Sequence, residues 1–324
     1  MAKARVYKSA KREFTCRLLE TKELVQAKAL GNLLKKGESI VVGDYVEVEM
    51  IEETKEYVIS SLYERSSEIF RILIREGKKK VTASNVDTIV ILTSVSKPQY
   101  KRGIVDRFLV RAFQWQVEPI VIFNKMDEYN SKEFDLQFEQ ERLKDLNVKC
   151  FEISAKQSAY EPQYLEKGYR DLKEYLSGKT SVFLGQSGVG KSQTITALSE
   201  GEVELKTKKV GKVGKGSHTT TWSEIIDCHN FELIDSPGIR SFSLDDITSE
   251  DLLSLFPDLE EYAVHCKFND CSHEPSAKGC RFWKQDLAPD SEKGSLVHSR
   301  LDSYCRFLEE ISETTHWQKS DKYS

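Results

Sequence analysis

The segment GQSGVGKS, at positions 185–192, has the residue types and spacing of a loop that binds phosphate groups. It matches the pattern G-x-x-x-x-G-K-[ST], whose glycines allow backbone N–H groups to approach a β-phosphate closely. Lys191 would contact the β- and γ-phosphates and act in catalysis, and Ser192 would bind Mg²⁺ at the start of a helix. The alternative is a glycine-rich turn without a ligand. Nucleotide contacts are expected from Gly185, Gln186, Ser187, Gly188, Val189, Gly190, Lys191, Ser192 and Gln193.

The tetrapeptide NKMD, at positions 124–127, follows an apolar run and contains an acid that can recognise guanine. The Asp127 carboxylate can accept hydrogen bonds from guanine N1–H and from its 2-amino group, a pair of donors that adenine lacks. Asn124 would link this loop to the phosphate loop, and the stem of Lys125 would cover the plane of the base. The motif therefore predicts a preference for guanine nucleotides.

Two further loops complete the pattern of a GTP site. ISAK, at positions 153–156, would meet guanine O6 through Ser154 and the backbone of Ala155, with Lys156 beside them. In IDSPG, Asp235 would hold Mg²⁺ through water and the Gly238 N–H would meet the γ-phosphate. Alone, such a pentapeptide is an ordinary Pro-Gly turn. Together, motifs that each follow an apolar run predict a bound GTP with Mg²⁺.

The base-reading motif precedes the phosphate loop, which is the reverse of the order in ordinary GTPases. From about residue 83 to 246, short apolar runs alternate with helical stretches, which predicts an α/β domain with its ligand at the carboxyl ends of parallel strands. Such a sheet can be opened elsewhere without changing which strands pair, so the order indicates a circular permutation. The γ-phosphate segment would then lead directly into the C-terminal domain, and movement of that tether is a hypothesis for the output.

Water activation needs a residue other than the usual glutamine. In many GTPases a Gln directly after Asp-x-x-Gly orients the attacking water, but Ile239 occupies that place and has no polar group. His218, in SHTTT, is the nearest candidate to orient the water, and the alternative is a loop histidine that contacts solvent or RNA. Either Thr219 or Thr220 could complete the Mg²⁺ ligands.

A cysteine cluster in CKFNDCSHEPSAKGC predicts a metal site. Cys266, Cys271, His273 and Cys280 have the spacing Cys-x4-Cys-x-His-x6-Cys, and three thiolates with one imidazole form a closed tetrahedral set for one structural Zn²⁺. A disulfide or unpaired thiols are the alternatives, and His265 is a conceivable substitute ligand. The other cysteines lack this spacing and are expected to be buried apolar residues; they are Cys16, Cys150, Cys228 and Cys305.

The flanking regions have different patterns. In residues 13–82, segments such as DYVEVEM, in which Val46, Val48 and Met50 alternate with glutamates, predict a small antiparallel barrel, with an SH3-like barrel as the alternative. Near the C-terminus, Thr248 and Asp251 have capping-box spacing. A closing helix has an apolar stripe formed by Val297, Leu301, Tyr304, Leu308 and Ile311.

Charge is distributed in local basic groups. The 324 residues are 39% hydrophobic and 31% charged with a net charge of −4, which favours a soluble globular protein and argues against nonspecific polyanion binding by the whole surface. No apolar run is long enough for a membrane span or a secretion signal, so we expect no membrane association and a cytoplasmic location. One basic group is an N-terminal arm with Lys3, Arg5, Lys8, Lys11 and Arg12; the second contains Lys206, Lys208, Lys209, Lys212 and Lys215. The alternative is a solvated tail for the first group and a solvated loop for the second.

The chain resembles the RsgA family, circularly permuted GTPases that act in late assembly of the bacterial small ribosomal subunit. The resemblance rests on NVDTIVIL, NKMD, ISAK, GQSGVGKS, HTTT, DSPG and the cysteine cluster, and it covers essentially the whole chain. It implies an arm and OB-fold barrel in 1–82, a permuted P-loop GTPase domain in 83–246 and an α-helical zinc-binding domain in 247–324. It also supports His218 as the water-orienting residue. Gln193 departs from the family's Ser or Thr, and we expect its side chain to point away from the phosphates.

The predicted function is a GTPase that binds the small ribosomal subunit and its rRNA through the barrel, the basic arm and the zinc domain. GTP would control binding, hydrolysis to GDP would promote release, and the subunit would stimulate turnover. One structural Zn²⁺ and a Mg²⁺ bound with GTP are the expected cofactors, and a monomer is the expected state. The alternatives are an RNA-binding assembly scaffold with GTP as a structural ligand and a GTPase that acts on the large subunit.

Overall fold

The computed structural model describes residues 1–10, 13–30, 39–73, 78–157, 159–201, 223–235 and 243–320, with the backbone alone for 314–320. The strands are β1 (Ala2–Ala10), β2 (Glu13–Leu18), β3 (Leu24–Ala29), β4 (Tyr45–Ile51), β5 (Glu56–Leu62), β6 (Glu68–Leu73), β7 (Lys78–Ser84), β8 (Thr88–Ser94), β9 (Glu118–Asn124), β10 (Lys149–Glu152), β11 (Thr180–Leu184), β12 (Ser223–Asp227) and β13 (Glu232–Asp235). The α-helices are α1 (Arg102–Gln114), α2 (Leu136–Lys144), α3 (Tyr169–Leu176), α4 (Lys191–Leu198), α5 (Ser249–Leu252), α6 (Pro257–Ala263) and α7 (Glu292–Ser320).

The first five strands close into a barrel in the order β1-β2-β3-β5-β4, with β4 pairing back to β1. The β3–β5 pair is parallel and the other pairs are antiparallel. This is the partly open Greek-key barrel of the OB-fold, so the implied OB-fold is confirmed and the SH3-like alternative is wrong. Val46 and Val48 are buried as predicted, but Met50 is 53% exposed because β1 begins opposite Val48 and leaves the end of β4 with one neighbour.

The basic N-terminal arm is a strand of the barrel, so its prediction as a separate arm is wrong for residues 2–10. Ala4 and Val6 are fully buried in the barrel core. Arg5, on the opposite face, is only 6% exposed and donates to the carboxylate of Glu232 and to the backbone oxygen of Asn85. The carboxylate neutralises this buried charge, which allows a basic residue inside the fold. Lys11 and Arg12 lie outside the described residues.

The predicted α/β sheet is confirmed. Strands β10, β9, β8, β11 and β13 run parallel in that order, and β12 pairs antiparallel with β13. All residues of β8 are buried, because helices cover both faces. Ile89 and Ile91 pack in a core with α1 and α2, whereas Val90 and Leu92 point to the other face and pack with α3 and α4. The parallel direction brings the carboxyl ends of these strands to one edge.

One strand pairing joins the barrel to this sheet, and a separate hairpin packs near α1. Strand β1 pairs antiparallel with β12, at Lys8 opposite Glu224, so barrel and central strands form one 11-stranded sheet. Strands β6 and β7 form a separate hairpin, which packs near α1 where Trp115 Nε1 donates to the Phe70 oxygen at 2.9 Å. The predicted boundary after residue 82 falls inside β7, and the division into three domains stays a prediction.

The C-terminal region is helical around its own core. Thr248 Oγ1 accepts a hydrogen bond from the Asp251 N–H at 3.1 Å and caps α5, as the sequence predicts. The apolar stripe of α7 also faces this core. No described helix, α7 included, is long and apolar enough to cross a membrane.

A buried ionic network joins this region to the helices of the α/β sheet. Asp106 on α1 is fully buried and pairs with Arg142 on α2 at 2.7 Å and with Arg300 on α7 at 2.5 Å. Arg300 also pairs with Asp258 on α6 at 2.7 Å. Burial opposes ionisation of Asp106, but the two guanidinium groups outweigh it and lower the pKa of its carboxyl below the usual value. The network therefore fixes how the helices meet.

We expect Asp106→Asn to lower the free energy of unfolding by about 3–5 kcal/mol, because it removes the charge that compensates two buried guanidinium groups. Urea denaturation followed by circular dichroism measures this loss. Asp302→Asn, at an exposed position of α7, is the matched control and should change stability by less than about 0.5 kcal/mol. Equal stability of the two variants would contradict a stabilising role for the network.

Candidate nucleotide site and metal centre

The predicted nucleotide-binding motifs meet at the carboxyl edge of the parallel strands. Strand β9 ends at Asn124, β10 at Glu152, β11 at Leu184 and β13 at Asp235. NKMD, ISAK and the phosphate loop begin at or directly after the first three of these ends, and of IDSPG only Ile234 and Asp235 are described, at the end of β13. Open α/β sheets bind their ligands at this edge. The reversed order along the chain therefore leaves the described parts of the motifs at one edge of the sheet.

Asn124 joins the loops that follow β9, β10 and β11. Its Nδ2 donates to the Val189 oxygen at 2.8 Å, and its Oδ1 accepts from the Ala155 N–H at 3.0 Å. The side chain is buried, with 1% of the residue exposed. The predicted link to the phosphate loop is present, and the same carboxamide also fixes the ISAK loop.

Lys125 supports the phosphate loop from the base side. Its backbone has a left-handed conformation, with φ 65°, which turns the chain out of β9. Its Nζ donates to the Gly188 oxygen at 2.9 Å and to the Lys97 oxygen. The ammonium is therefore held over the phosphate loop, while the covering of a base by the stem stays a prediction.

Asp127 and Ser154 form a hydrogen-bonded pair between the two base-reading loops. The Ser154 hydroxyl donates to Asp127 Oδ1 at 2.6 Å and accepts from the Gln157 N–H at 3.2 Å. Asp127 is half-buried, so part of the carboxylate remains accessible. This contact orients an acceptor-only group, which is the chemistry needed to bind the paired donors of guanine. Lys156 is exposed beside this pair.

Two glycines of the phosphate loop are required by close contacts. Gly190 has φ 98°, and a Cβ there would lie 2.5 Å from Asn124 Nδ2. Gly185 has φ 157°, and a Cβ there would lie 2.4 Å from the Leu92 oxygen. Both distances are far below contact distance, so these positions need glycine for space as well as for conformation.

Lys191 begins α4 and lies against the phosphate loop. Its Nζ donates to the Gly185 oxygen at 2.6 Å and to the Gln186 oxygen at 3.0 Å, which holds the ammonium on the loop. Val189 anchors the loop in the sheet core, with 2% exposed. The remaining positions are accessible: Gln186 and Ser192 are half-buried, and Ser187, Gly188 and Gln193 are exposed.

The structure describes only some of the residues that are predicted to bind Mg²⁺, contact the γ-phosphate or orient the attacking water. Asp235 ends β13, opposite Glu224 of β12, and Ser192 lies in the first turn of α4. His218, Thr219, Thr220 and Gly238 lie outside the described residues, as do Ile239 and the second basic group.

The four predicted metal ligands form a cluster. The ligand atoms of Cys266, Cys271, His273 and Cys280 all lie within 4.8 Å of one another. His273 Nδ1 is 3.7 Å from Cys266 Sγ and 3.8 Å from Cys280 Sγ. Tetrahedral ligands at about 2.0–2.3 Å from a zinc ion are separated by roughly 3.4–3.8 Å, so the geometry fits a metal ion.

Neighbouring groups orient the cluster. Trp283 Nε1 donates to the His273 oxygen at 2.9 Å, and the Arg281 N–H donates to Cys266 Sγ at 3.3 Å. Burial lowers the pKa of His273, which favours the neutral imidazole that binds metals, and burial raises the pKa of Cys280 to about 12. A thiolate there needs a nearby cation, which a metal supplies. His265 is exposed and is not part of the cluster.

Three of the other four cysteines are buried as predicted. Cys16, Cys150 and Cys228 are buried, and Cys305 is half-buried. Burial raises the pKa of the first three thiols to about 12 and that of Cys305 to about 11, which leaves them protonated at neutral pH.

Comparisons with known proteins agree with the geometry. A sequence model of the family described as RsgA GTPase matches residues 62–245. The chain is 32% identical over 319 residues to the small ribosomal subunit biogenesis GTPase RsgA of Flavobacterium psychrophilum, with 95% of this chain and 93% of that protein covered.

Two solved structures share the whole fold. YjeQ from Thermotoga maritima has a TM-score of 0.71 at 26% identity, with 96% of this chain and 98% of that chain covered. YloQ, described as a circularly permuted GTPase, has a TM-score of 0.70 at 26% identity, with 97% and 96% covered. The predicted circular permutation is therefore confirmed.

Gly190→Ala should weaken GTP binding by roughly 5- to 150-fold, because its Cβ displaces the buried Asn124 carboxamide and a lost buried hydrogen bond costs about 1–3 kcal/mol. Titration with a fluorescent GTP analogue measures the dissociation constant. Gly178→Ala is the matched control, since Gly178 also has positive φ, at 72°, but open space around its Cβ position. Equal affinities in the two variants would show that the Asn124 contact does not shape the site.

Proposed function

The chain belongs to the RsgA GTPase family, and we propose that it hydrolyses GTP to GDP in the late assembly of the small ribosomal subunit. The observation that carries the binding of GTP as substrate is the Asn124 carboxamide, which fixes the base-reading loops against the phosphate loop, and membership of the GTPase family supports its hydrolysis. The name of the relative, a small ribosomal subunit biogenesis GTPase, supports the subunit as the partner.

The proposed binding of GTP uses each loop in a separate role. Asp127 accepts from the guanine N1–H and 2-amino groups while Ser154 holds its carboxylate, and the loop backbone at Ala155, which Asn124 fixes, faces O6. Backbone N–H groups of 185–190 surround the β-phosphate, and Lys191 moves from its loop carbonyls to the β- and γ-phosphates. A Mg²⁺ ion, when bound, neutralises charge that develops on the phosphates.

The remaining site residues complete this proposal. Ser192 and Asp235 would hold the Mg²⁺, with Thr219 or Thr220, and the Gly238 N–H would contact the γ-phosphate. His218 would orient the attacking water, because Ile239 replaces the glutamine that does so in many GTPases. Lys191 would stabilise the charge of the transition state as well as the bound substrate.

Subunit binding is proposed for the barrel and the metal-binding region. Lys3 lies over the rings of Tyr45 and Tyr63, at 5.3 and 4.4 Å, and offers a basic, aromatic surface for rRNA. Arg5 is unsuited to this role because it is buried and paired. We further propose that the protein acts in the cytoplasm as a monomer.

Turnover assays with purified subunits test this function. We expect the small subunit to stimulate GTP hydrolysis and the large subunit to leave it at the basal rate. Lys191→Ala should bind GTP poorly and provide the background rate. Stimulation by the large subunit alone would favour the large-subunit alternative, and GTP that binds without turnover on either subunit would favour the RNA-binding scaffold.

His218→Ala should bind GTP and the small subunit nearly normally but lose about 10²-fold or more in subunit-stimulated turnover, the scale of a positioned acid-base or orienting group. The variant should stay on the subunit with GTP, because release follows hydrolysis. Ile239→Ala is the control and should be much milder. Single-turnover hydrolysis on saturating subunits measures the rates, and a wild-type rate for His218→Ala would remove the histidine from the mechanism.

The metal is proposed to be one structural Zn²⁺ held by Cys266, Cys271, His273 and Cys280. Metal analysis should find one Zn²⁺ per chain, which Cys271→Ser should lose. That variant should unfold the C-terminal region and keep nucleotide binding, because the ligands lie outside the GTP motifs. Cys305→Ser, outside the cluster, should keep the metal. A wild-type protein that binds the small subunit without metal would contradict a structural zinc.

A further inference from the structure

A buried carboxylate organises the loop that follows the ISAK motif. Glu152, the last residue of β10, is 0% exposed. Its carboxylate accepts hydrogen bonds from the Tyr160 hydroxyl at 2.9 Å and from the Tyr164 N–H at 2.9 Å, and also from the N–H groups of Gln163 and Leu165. A buried charge is costly unless donors surround it, so the loop is folded around this one group.

The same residue closes the loop at its base. The Glu152 N–H donates to the Lys167 oxygen at 2.9 Å, just before α3 begins at Tyr169. The side chain and the backbone of one residue therefore hold both the middle and the end of the segment 159–168. Ser154, which orients Asp127, lies two residues after Glu152, in the loop that follows β10.

The loop that Glu152 holds contacts the base-reading loop. The rings of Tyr164 and Tyr129 have centroids 4.7 Å apart in an edge-to-face arrangement, and the Tyr129 N–H donates to the Met126 oxygen at 3.1 Å. Such aromatic pairs contribute beyond the area they bury. Two contacts therefore support NKMD. Ser154 donates a hydrogen bond to Asp127, and Tyr164 packs against Tyr129, which is hydrogen-bonded to Met126.

Tyr160 is a stable donor to Glu152. Burial raises the pKa of the Tyr160 hydroxyl, and the hydrogen bond to Glu152 raises it further. The hydroxyl therefore stays protonated and donates to Glu152. The Tyr160 N–H also donates to the Gln157 oxygen at 2.9 Å, which links the loop to the end of ISAK, where the Gln157 N–H donates to Ser154.

We propose that Glu152 is a positioning residue for guanine recognition, which holds the loop of 159–168 against NKMD so that Asp127 and Ser154 meet the edge of the base. The inference rests on the proposed guanine site. Guanine offers Asp127 two donors, N1–H and the 2-amino group, so a displaced carboxylate loses with guanine a contact that hypoxanthine never makes. Glu152 does not touch the nucleotide and acts through these neighbours.

Glu152→Gln tests this role because the amide has nearly the same shape but one acceptor oxygen for four donors, and it adds two donors of its own. The dissociation constants of GDP and IDP are compared, since inosine lacks the 2-amino group. We expect GDP affinity to fall about tenfold or more and the preference for GDP over IDP to fall at least about threefold. The kcat at saturating GTP should stay within about twofold, because the phosphate loop is unchanged.

Glu161→Gln is the matched control, an exposed glutamate in the same loop whose change should leave both affinities at the wild-type value. Equal losses for GDP and IDP, or an unchanged preference in a folded Glu152→Gln protein, would overturn the proposal and leave Glu152 with a structural role alone. If Glu152→Gln does not fold, Tyr164→Ala removes only the ring contact with Tyr129 and must lower the same preference.

Asp127→Asn separates this inference from the proposed site. This variant should prefer xanthine nucleotides to guanine nucleotides, because the amide can donate to the 2-oxo group of xanthine. If it does so while Glu152→Gln and Tyr164→Ala keep the wild-type GDP preference, only the role of Glu152 is wrong. If Asp127→Asn keeps the preference for guanine, the base pocket is assigned wrongly, and the proposed role of Glu152 is then wrong as well.

Discussion

The buried carboxamide of Asn124 is the contact on which the nucleotide site depends. A primary amide carries a donor NH₂ and an acceptor oxygen on the same carbon. Here the NH₂ donates to the phosphate loop at Val189, and the oxygen accepts from the ISAK loop at Ala155. Three loops that are far apart along the chain are thereby fixed relative to one another by one group. The space it occupies explains why Gly190 can carry no side chain. The glycine of the motif thus serves protein packing as well as the approach of a phosphate.

This dependence explains how the site survives a reversed order of motifs. The contacts of Asn124 join atoms at the carboxyl ends of neighbouring strands. Which strands pair in the sheet does not depend on the order in which they occur along the chain. What the permutation changes is where the chain leaves the sheet. After β13, at the carboxyl edge, it continues toward the helical region, and before β8 it arrives from the β6–β7 hairpin at the opposite, amino edge. The C-terminal region therefore follows a segment of the nucleotide site directly, whereas the chain enters the sheet from the N-terminal regions at the edge away from that site.

Motifs with their own local signature could be predicted from the sequence, and contacts made by distant partners could not. The phosphate loop, NKMD, ISAK and the cysteine cluster combine special residue types with spacing, so their positions follow from the chain itself. The sequence predicts an arm at the N-terminus because five basic residues precede the first acid, Glu13, and the carboxylate that neutralises Arg5, on Glu232, comes 227 residues later. Glu152 was missed for a similar reason, since its partners are mainly backbone N–H groups, which every sequence has. Its only signal was a glutamate at the end of an apolar strand.

The ionic contacts between the regions limit how a nucleotide signal can travel. The hypothesis that the segment after Asp235 moves the C-terminal region as a tether requires that region to be free, but Arg300 is bound to Asp106 in the GTPase fold. The chain is also fixed again at Asp246, which pairs with Arg111 of α1 at 2.6 Å and accepts from the Ile72 N–H of the hairpin at 2.9 Å. Separating such buried pairs would leave uncompensated charges and cost several kcal/mol. The contacts of Asp246 therefore tie the start of the helical region to α1 and the β6–β7 hairpin, and the tether hypothesis requires these contacts to break before the region can move.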